Sequence, residues 1–365
     1  MILLNHVFFC LFLKLANNRV TFCVCKGYER SDEMQPVERL MHTLTQAIAK
    51  HASDVYFFPK FQGYEIVCHT VTGIEKMGEL SCEHAEQLIA YVKYEANMSI
   101  SERRRPQLGA LHVRVDKAQV HLRLSTVGDF QDRESMVIRI IYALAEVSHS
   151  VRQNKQWPAI RGLTNSAGLV VLSGPMGSGK TTTIYQLAHE RQTDSVVLSI
   201  EDPVEIEEPD FLQLQVNELA GMTYDALLKL ALRHRPDVFI IGEIRDEQTA
   251  RVAIKAALSG HLVLSTVHAQ SALGVISRLA QLGIAKNDLE QAIAGVCYQR
   301  LLPGRQQPVT IYDWLTREEL FSEARPFFNG QQRKTQMTRR WHDALREAVD
   351  DGLVAPEVAQ RYQAG

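Results

Sequence analysis

No CxxC pair occurs in the sequence. Of its six cysteines, three fall within the first 25 residues and the last is Cys297. A structural zinc site or a disulfide framework needs paired, closely spaced cysteines, so neither is expected, and the usage fits a reducing compartment. Charge of one sign is missing too. Lys and Arg number 40 against 42 Asp and Glu, a formal net charge of -2, without the basic excess of a dedicated nucleic-acid binder. Aromatic residues make up only 7%, a weak argument against an all-β surface binder. The longest apolar run, residues 2–15, is interrupted by Asn5, His6 and Lys14 and falls short of the roughly 20 residues that cross a bilayer. A mean hydropathy of -0.14 excludes a polytopic membrane protein.

That run also lacks a basic start and an A-x-A site, so it fits a signal peptide badly, while an interfacial anchor stays open. The simpler expectation is that 1–33 is an upstream extension and that the native chain starts at Met34. Residues 29–33 can be encoded by a purine-rich ribosome-binding tract.

What remains is a soluble-type balance, 45% apolar and 22% charged over 365 residues, enough for two or three domains. Apolar positions Val37, Leu40, Met41, Leu44 and Ile48 recur at helical spacing. Strand-like runs at 54–58 and 64–70, a helix over 81–94 and further runs at 110–115, 119–126 and 136–144 complete an α+β domain over 34–147. A polar linker spans 148–167. From 168 to 315 short apolar strands (169–173, 195–200, 238–242, 262–267) alternate with helices (179–191, 224–234, 247–259, 272–282). That pattern predicts a parallel sheet covered on both faces. Residues 316–365 read as a charged, helical C-terminal tail.

The segment Gly174-Pro175-Met176-Gly177-Ser178-Gly179-Lys180-Thr181 satisfies GxxxxGK[ST], follows a strand and opens a helix, the context this phosphate-binding loop requires. Glycines let backbone N–H groups turn inward around phosphate oxygens, and the helix N-terminus adds positive character. Lys180 is expected to reach the β- and γ-phosphates, and the Thr181 hydroxyl to ligate Mg²⁺; Thr182 follows in the same turn. The competing reading is a glycine-rich turn that only starts a helix.

The strand over 238–242 delivers Glu243 at its carboxyl end, where ligands of open α/β sheets sit. Glu243 is placed to position or deprotonate an attacking water. The strand over 195–200 runs into Glu201, Asp202 and Glu205, which also fits a solvated loop. His268 follows the strand over 262–267; taken alone, such a histidine is more often structural.

Jointly these motifs resemble the type II secretion and type IV pilus assembly ATPase family over most of residues 34–303. GPMGSGKTTT (174–183) looks like its Walker A, IEDPVEI (200–206) its Asp box, LRHRPDVFIIGEIRD (232–246) its Walker B and GHLVLSTVHA (260–269) its His box. Residues 96–114 look like the entry to the family's second N-terminal domain, and 121–140 like the segment carrying paired arginines, matched by Arg123 and Arg139. A third family arginine matches Arg233. The turn between the paired arginines, 127–134, is one residue longer than usual, and a fourth family arginine is Lys229 here, which keeps charge but loses the bidentate fork. The tetracysteine zinc subdomain and the long partner-docking domain of the secretion branch are absent, as in the competence-pilus branch.

The resemblance implies an α/β fold, with a PAS-like N-terminal α+β domain followed by a RecA-like P-loop NTPase domain whose sheet is mainly parallel. It implies ATP and Mg²⁺, with Glu205 near the metal directly or through water, and with Glu243, Glu205, His268, Arg123, Arg139 and Arg233 in catalytic roles. It further implies a homo-hexamer at the cytoplasmic face of the membrane. Such a hexamer acts on a polytopic platform protein and indirectly on pilin-like proteins to assemble a competence pseudopilus for DNA uptake, with no zinc and no direct nucleic-acid contact. Pilus retraction, type II secretion and, as a different class, a RecA-like DNA translocase are the alternatives. Arg103-Arg104-Arg105 invites a nucleic-acid reading, although basic triplets are mostly solvated or ion-paired.

Overall fold

A computed structural model describes residues 20–21, 34–115, 118–142, 144, 154–192, 195–328 and 336–365. The proposed extension, Val20 and Thr21 apart, and the first part of the linker lie outside the described residues. The chain divides into two units, Met1–Ala143 and Leu144–Gly365.

In the first unit two meanders form one sheet. Strands β2 (Asp54–Lys60), β3 (Gly63–Thr70) and β4 (Gly73–Leu80) make one, and β5 (Gln107–Val115), β6 (Ala118–Gly128) and β7 (Glu134–Tyr142) the other. Antiparallel pairing of β7 with β2 joins them in the order β5-β6-β7-β2-β3-β4. Val20–Thr21, β1, adds a short parallel pairing to β5. Two helices, α1 (Pro36–Ala49) and α2 (Cys82–Glu95), cover one face. The first starts at a capping box of Gln35 and Glu38 with Pro36 in its first turn, and the second at Ser81, whose side chain accepts from the His84 N–H. Leu40, Leu44, Leu88 and Val92 of the helices meet Leu122, Leu124, Ile138 and Ile140 of the strands in a single core.

The period of two then sends the alternate residues of β6 and β7 to the other face, Arg123 and Arg139 among them. They are direct cross-strand partners. Arg139 and Asp54 are partners too, and the Arg139 Nε donates to Asp54 Oδ1 at 2.9 Å. That carboxylate relieves two cations set opposite one another. In the β6–β7 turn Asp129 accepts from the Gln131 and Arg133 N–H groups, which holds the turn in place.

In the second unit seven strands form a sheet in the order β10-β9-β11-β12-β8-β13-β14. Strand β8 (Gly168–Ser173) is central, flanked by β12 (Leu262–Val267) and β13 (Ile293–Leu302). Strands β9 (Val197–Glu201), β10 (Leu212–Gln215) and β11 (Val238–Glu243) lie beyond β12, and β14 (Val309–Thr316) closes the other edge antiparallel to β13. All other pairings in this sheet are parallel. Strands β8, β9 and β12 are buried at every position, as a sheet covered on both faces requires.

Strands β4, β10, β13 and β14 are additions to the sequence reading. GIEKMGEL on β4 alternates between half-buried and exposed and so shows no apolar stripe. The apolar run of β13 follows directly on the helix Lys286–Ala292, without turn punctuation. Residues 316–365 carry helices Arg317–Phe328, Arg339–Asp350 and Pro356–Arg361. Leu320, Trp341 and Leu345 belong to the same core cluster as Leu169 and Val171 of the central strand. The Trp341 ring meets Tyr298 of β13 edge-on at 5.6 Å, and its Nε1 donates to the Tyr362 carbonyl at 2.9 Å.

Candidate active site

Parallel pairing brings the carboxyl ends of β8, β9, β11 and β12 to one sheet edge. Ser173 is level with Val267 and Tyr298, and Glu243 with Thr266. The loop 174–179 follows β8 there and passes into the helix Lys180–His189. Gly177 and Gly179 are left-handed at φ 74° and 81°, the region that L side chains avoid. A Cβ at Gly174, φ 145°, would overlap the Gln299 carbonyl oxygen. The backbone therefore comes as close to β13 as only glycine permits. This is a cradle of main-chain groups at a helix N-terminus, the arrangement that suits phosphate oxygens.

Lys180 Nζ lies within the loop, donating to the carbonyls of Gly174 and Pro175 at 2.9 Å each. Burial pushes its pKa below the ordinary lysine value, while the carboxylates of Glu243 and Glu205 pull it back up. The Thr181 hydroxyl donates to Glu205 Oε2 at 2.8 Å. A hydroxyl beside a carboxylate is the hard oxygen set that Mg²⁺ takes.

Strand β11 breaks register between Ile241 and Glu243. The break is held by the Thr266 hydroxyl donating to the Gly242 carbonyl at 2.9 Å and by the Ile244 N–H donating to the Thr266 carbonyl at 2.8 Å. Such a bulge re-aims a side chain at a strand end. Here Glu243 meets His268, Oε1 to Nε2 at 3.1 Å, both half-exposed. The loop thus gains a lysine, a hydroxyl, two carboxylates and an imidazole on one edge.

A supporting layer lies beneath. Glu201, buried at the end of β9, accepts from the Tyr185 hydroxyl at 2.5 Å, and the Glu205 backbone N–H bonds the same carboxylate. Burial raises the Glu201 pKa, and these hydrogen bonds oppose the rise. A Cβ at Gly242 would stand 3.2 Å from Glu201 Cγ, so the end of β11 rests on this group. Asp202 is paired with Arg245.

Arg233 is elsewhere. It follows the helix Tyr224–Ala231 and precedes β11, at the amino ends of the strands, exposed and opposite the loop edge. Lys229 is engaged with Asp225 at 2.6 Å. Each arginine of the 103–105 triplet faces a carboxylate: Arg103 to Glu86 at 3.0 Å, Arg104 to Asp132 at 3.2 Å and Arg105 to Glu102 at 3.7 Å.

Gln299 is a site residue that the sequence does not reveal. It is 2% exposed, and its Nε2 donates to the Ser178 carbonyl at 2.6 Å. The only sequence signal is the polar pair Gln299-Arg300 inside the apolar run 293–302.

A family model described as Type II/IV secretion system protein matches residues 30–340. Competence protein ComGA of Streptococcus pneumoniae is 43% identical over 263 residues, 72% of this chain and 83% of that one. Competence protein ComGA of Bacillus subtilis is 38% identical over 275 residues, 74% and 77% respectively. The fold is shared with the solved Legionella pneumophila ATPase DotB at a TM-score of 0.70 and 18% identity, covering 94% of this chain and 99% of that chain. It is also shared with the pilus retraction motor PilT at 0.60 and 22%, covering 88% and 96%. On the strength of the family model and of these competence relatives, the chain belongs to the type II/IV secretion system protein family.

Proposed function

We propose that this protein is a P-loop ATPase that hydrolyses ATP to ADP and phosphate, and that as a homo-hexamer it powers assembly of a competence pseudopilus for DNA uptake. The observation that carries the chemistry is the convergence of Lys180, Thr181, Glu205, Glu243 and His268 on the edge where the loop 174–179 opens into its helix. Phosphoryl transfer needs positioning and charge neutralisation more than covalent chemistry. Lys180 leaves the loop carbonyls to meet the β- and γ-phosphates. Glu243 takes the proton of the attacking water, and His268 holds that carboxylate in place. Thr181 and Glu205 would hold Mg²⁺, which supplies positive charge to the phosphate oxygens when bound.

Arg123 and Arg139, cross-strand partners on the sheet face turned away from α1 and α2 with Asp54 beside Arg139, are proposed to respond to the terminal phosphate. Arg233 serves another copy's nucleotide or a subunit interface, because its position opposite the loop edge keeps it from its own. The cargo assignment draws on the competence relatives, which fit a motor acting on a polytopic platform protein at the cytoplasmic face of the membrane. Among the described residues no helix is long and apolar enough to cross a membrane. The ion-paired triplet 103–105 offers little free charge to a DNA backbone, which disfavours a translocase.

Purified protein is expected to hydrolyse ATP only with Mg²⁺ present. Lys180→Ala is expected to lose nucleotide binding and turnover together, and loss of the gene to abolish transformation by external DNA. Strong stimulation of the ATPase by DNA would instead favour the translocase.

A further inference from the structure

Beneath the phosphate-binding loop lies a side chain that the chemistry described so far does not use. Gln299 stands on β13, directly beside the central strand β8, with its neighbours Tyr298 and Cys297 paired to Ser173 and Leu172. It touches the loop at both ends. Its backbone oxygen occupies the space a Cβ at Gly174 would need. Its Nε2 would lie 3.1 Å from a Cβ at Gly179 and donates to the Ser178 carbonyl at 2.6 Å. The second and third contacts are specific to the amide.

The direction of that bond matters. A trans peptide is planar, so the carbonyl of one residue and the N–H of the next point opposite ways. Holding the Ser178 oxygen down on Gln299 aims the Gly179 N–H away from β13, into the hollow of the loop. That N–H stands at the head of the helix Lys180–His189, where an orphan donor and the helix dipole favour an anion.

Stability alone is a poor reason for an amide here. Gln299 and Ser178 are each 2% exposed, yet Gln299 Oε1 and Ser178 Oγ are buried without a hydrogen-bond partner among the described residues. A buried amide whose oxygen is left unmet is a worse packing element than an apolar residue of the same shape. Its presence calls for something only the donated bond supplies. We infer that Gln299 is a positioning residue for nucleotide binding, fixing the Ser178–Gly179 peptide so that its N–H faces the phosphates. This deepens the ATPase reading and rests on it.

The test compares Gln299→Leu and Gln299→Glu with the parent protein, by titration with ADP and ATP and by steady-state turnover. Leucine keeps the volume but cannot donate. It is expected to weaken ADP and ATP binding and to raise KM by about tenfold, the effect of one lost hydrogen bond to a charged ligand, with kcat changed far less. Glutamate donates only when protonated, so its deficit relative to the parent is expected to shrink as pH falls from about 8 to about 6, the range to which burial lifts a carboxyl. A role in packing alone would leave Gln299→Leu, which keeps the volume, with the parent's affinity and KM. Wild-type-like affinity in a folded Gln299→Leu protein, or a pH-independent deficit in Gln299→Glu, overturns the inference. A parent protein that binds neither nucleotide overturns the ATPase reading itself.

Discussion

On the proposed function, the contact between Glu243 and His268 is the one on which hydrolysis turns. A half-exposed carboxylate at a strand end can accept a proton from water, and the imidazole 3.1 Å away fixes its orientation. Glu243→Gln keeps the shape and the neighbours but removes the base. It is expected to bind ATP as the parent does and to turn over about 10²- to 10⁴-fold more slowly, measured by single-turnover kinetics alongside titration. His268→Ala is expected to cost less, since it orients the base and does not replace it. The strand-end pattern gives the place of Glu243 in the sequence, whereas His268, by pattern alone more often structural, is singled out only through the family resemblance. The roles of Glu201 and Gln299 are not legible there, because they come from burial beneath neighbouring strands. A sequence shows a buried amide or carboxylate only as an interruption.

Among the elements, the alternation of strand and helix over 168–282 is readable because fully buried strands are mostly apolar. Strands β13 and β14 escape because one starts without a turn and the other, VTIYDWLT, mixes Asp313 and Thr into its run. Asp313 is buried and accepts from the Thr338 N–H at 3.0 Å, which ties β14 to the start of the helix Arg339–Asp350. The charged tail therefore completes the sheet's core, with Trp341 fully buried against β13. Trp341→Ala is expected to destabilise the second unit by about 3–5 kcal/mol, read as a lower denaturation midpoint. On the same helix Arg340 holds Glu319 through two hydrogen bonds of 2.9 and 2.6 Å, and this lowers the Glu319 pKa to about 2. A depressed carboxyl adds stability above its unfolded pKa of about 4.3 and loses it as pH falls toward the folded value. The melting-temperature gap between the parent and Glu319→Gln should be full at neutral pH and close progressively below about pH 4. A gap that persists at low pH would locate the effect elsewhere.

For the whole molecule, the proposed function makes nucleotide state the signal to which Arg123 and Arg139 respond. A hinge cycled by nucleotide state would perform work in a ring. Arg123 and Arg139 belong to a segment with an altered turn, and the β6–β7 register makes them direct partners on one face. Only residues 129–133 of that turn lie outside the paired strands. Arg233 lies in the 3₁₀ turn that precedes β11, and in a parallel sheet that places it at the amino ends of the strands, away from Glu243.

The most direct measurement is a cryo-electron microscopy structure of the assembled protein with Mg²⁺ and a non-hydrolysable ATP analogue. The account predicts the triphosphate on 174–181 and, in at least some protomers, the guanidinium groups of Arg123 and Arg139 within hydrogen-bonding distance of the γ-phosphate. Nucleotide bound with both arginines turned away in every protomer of the ring would contradict it.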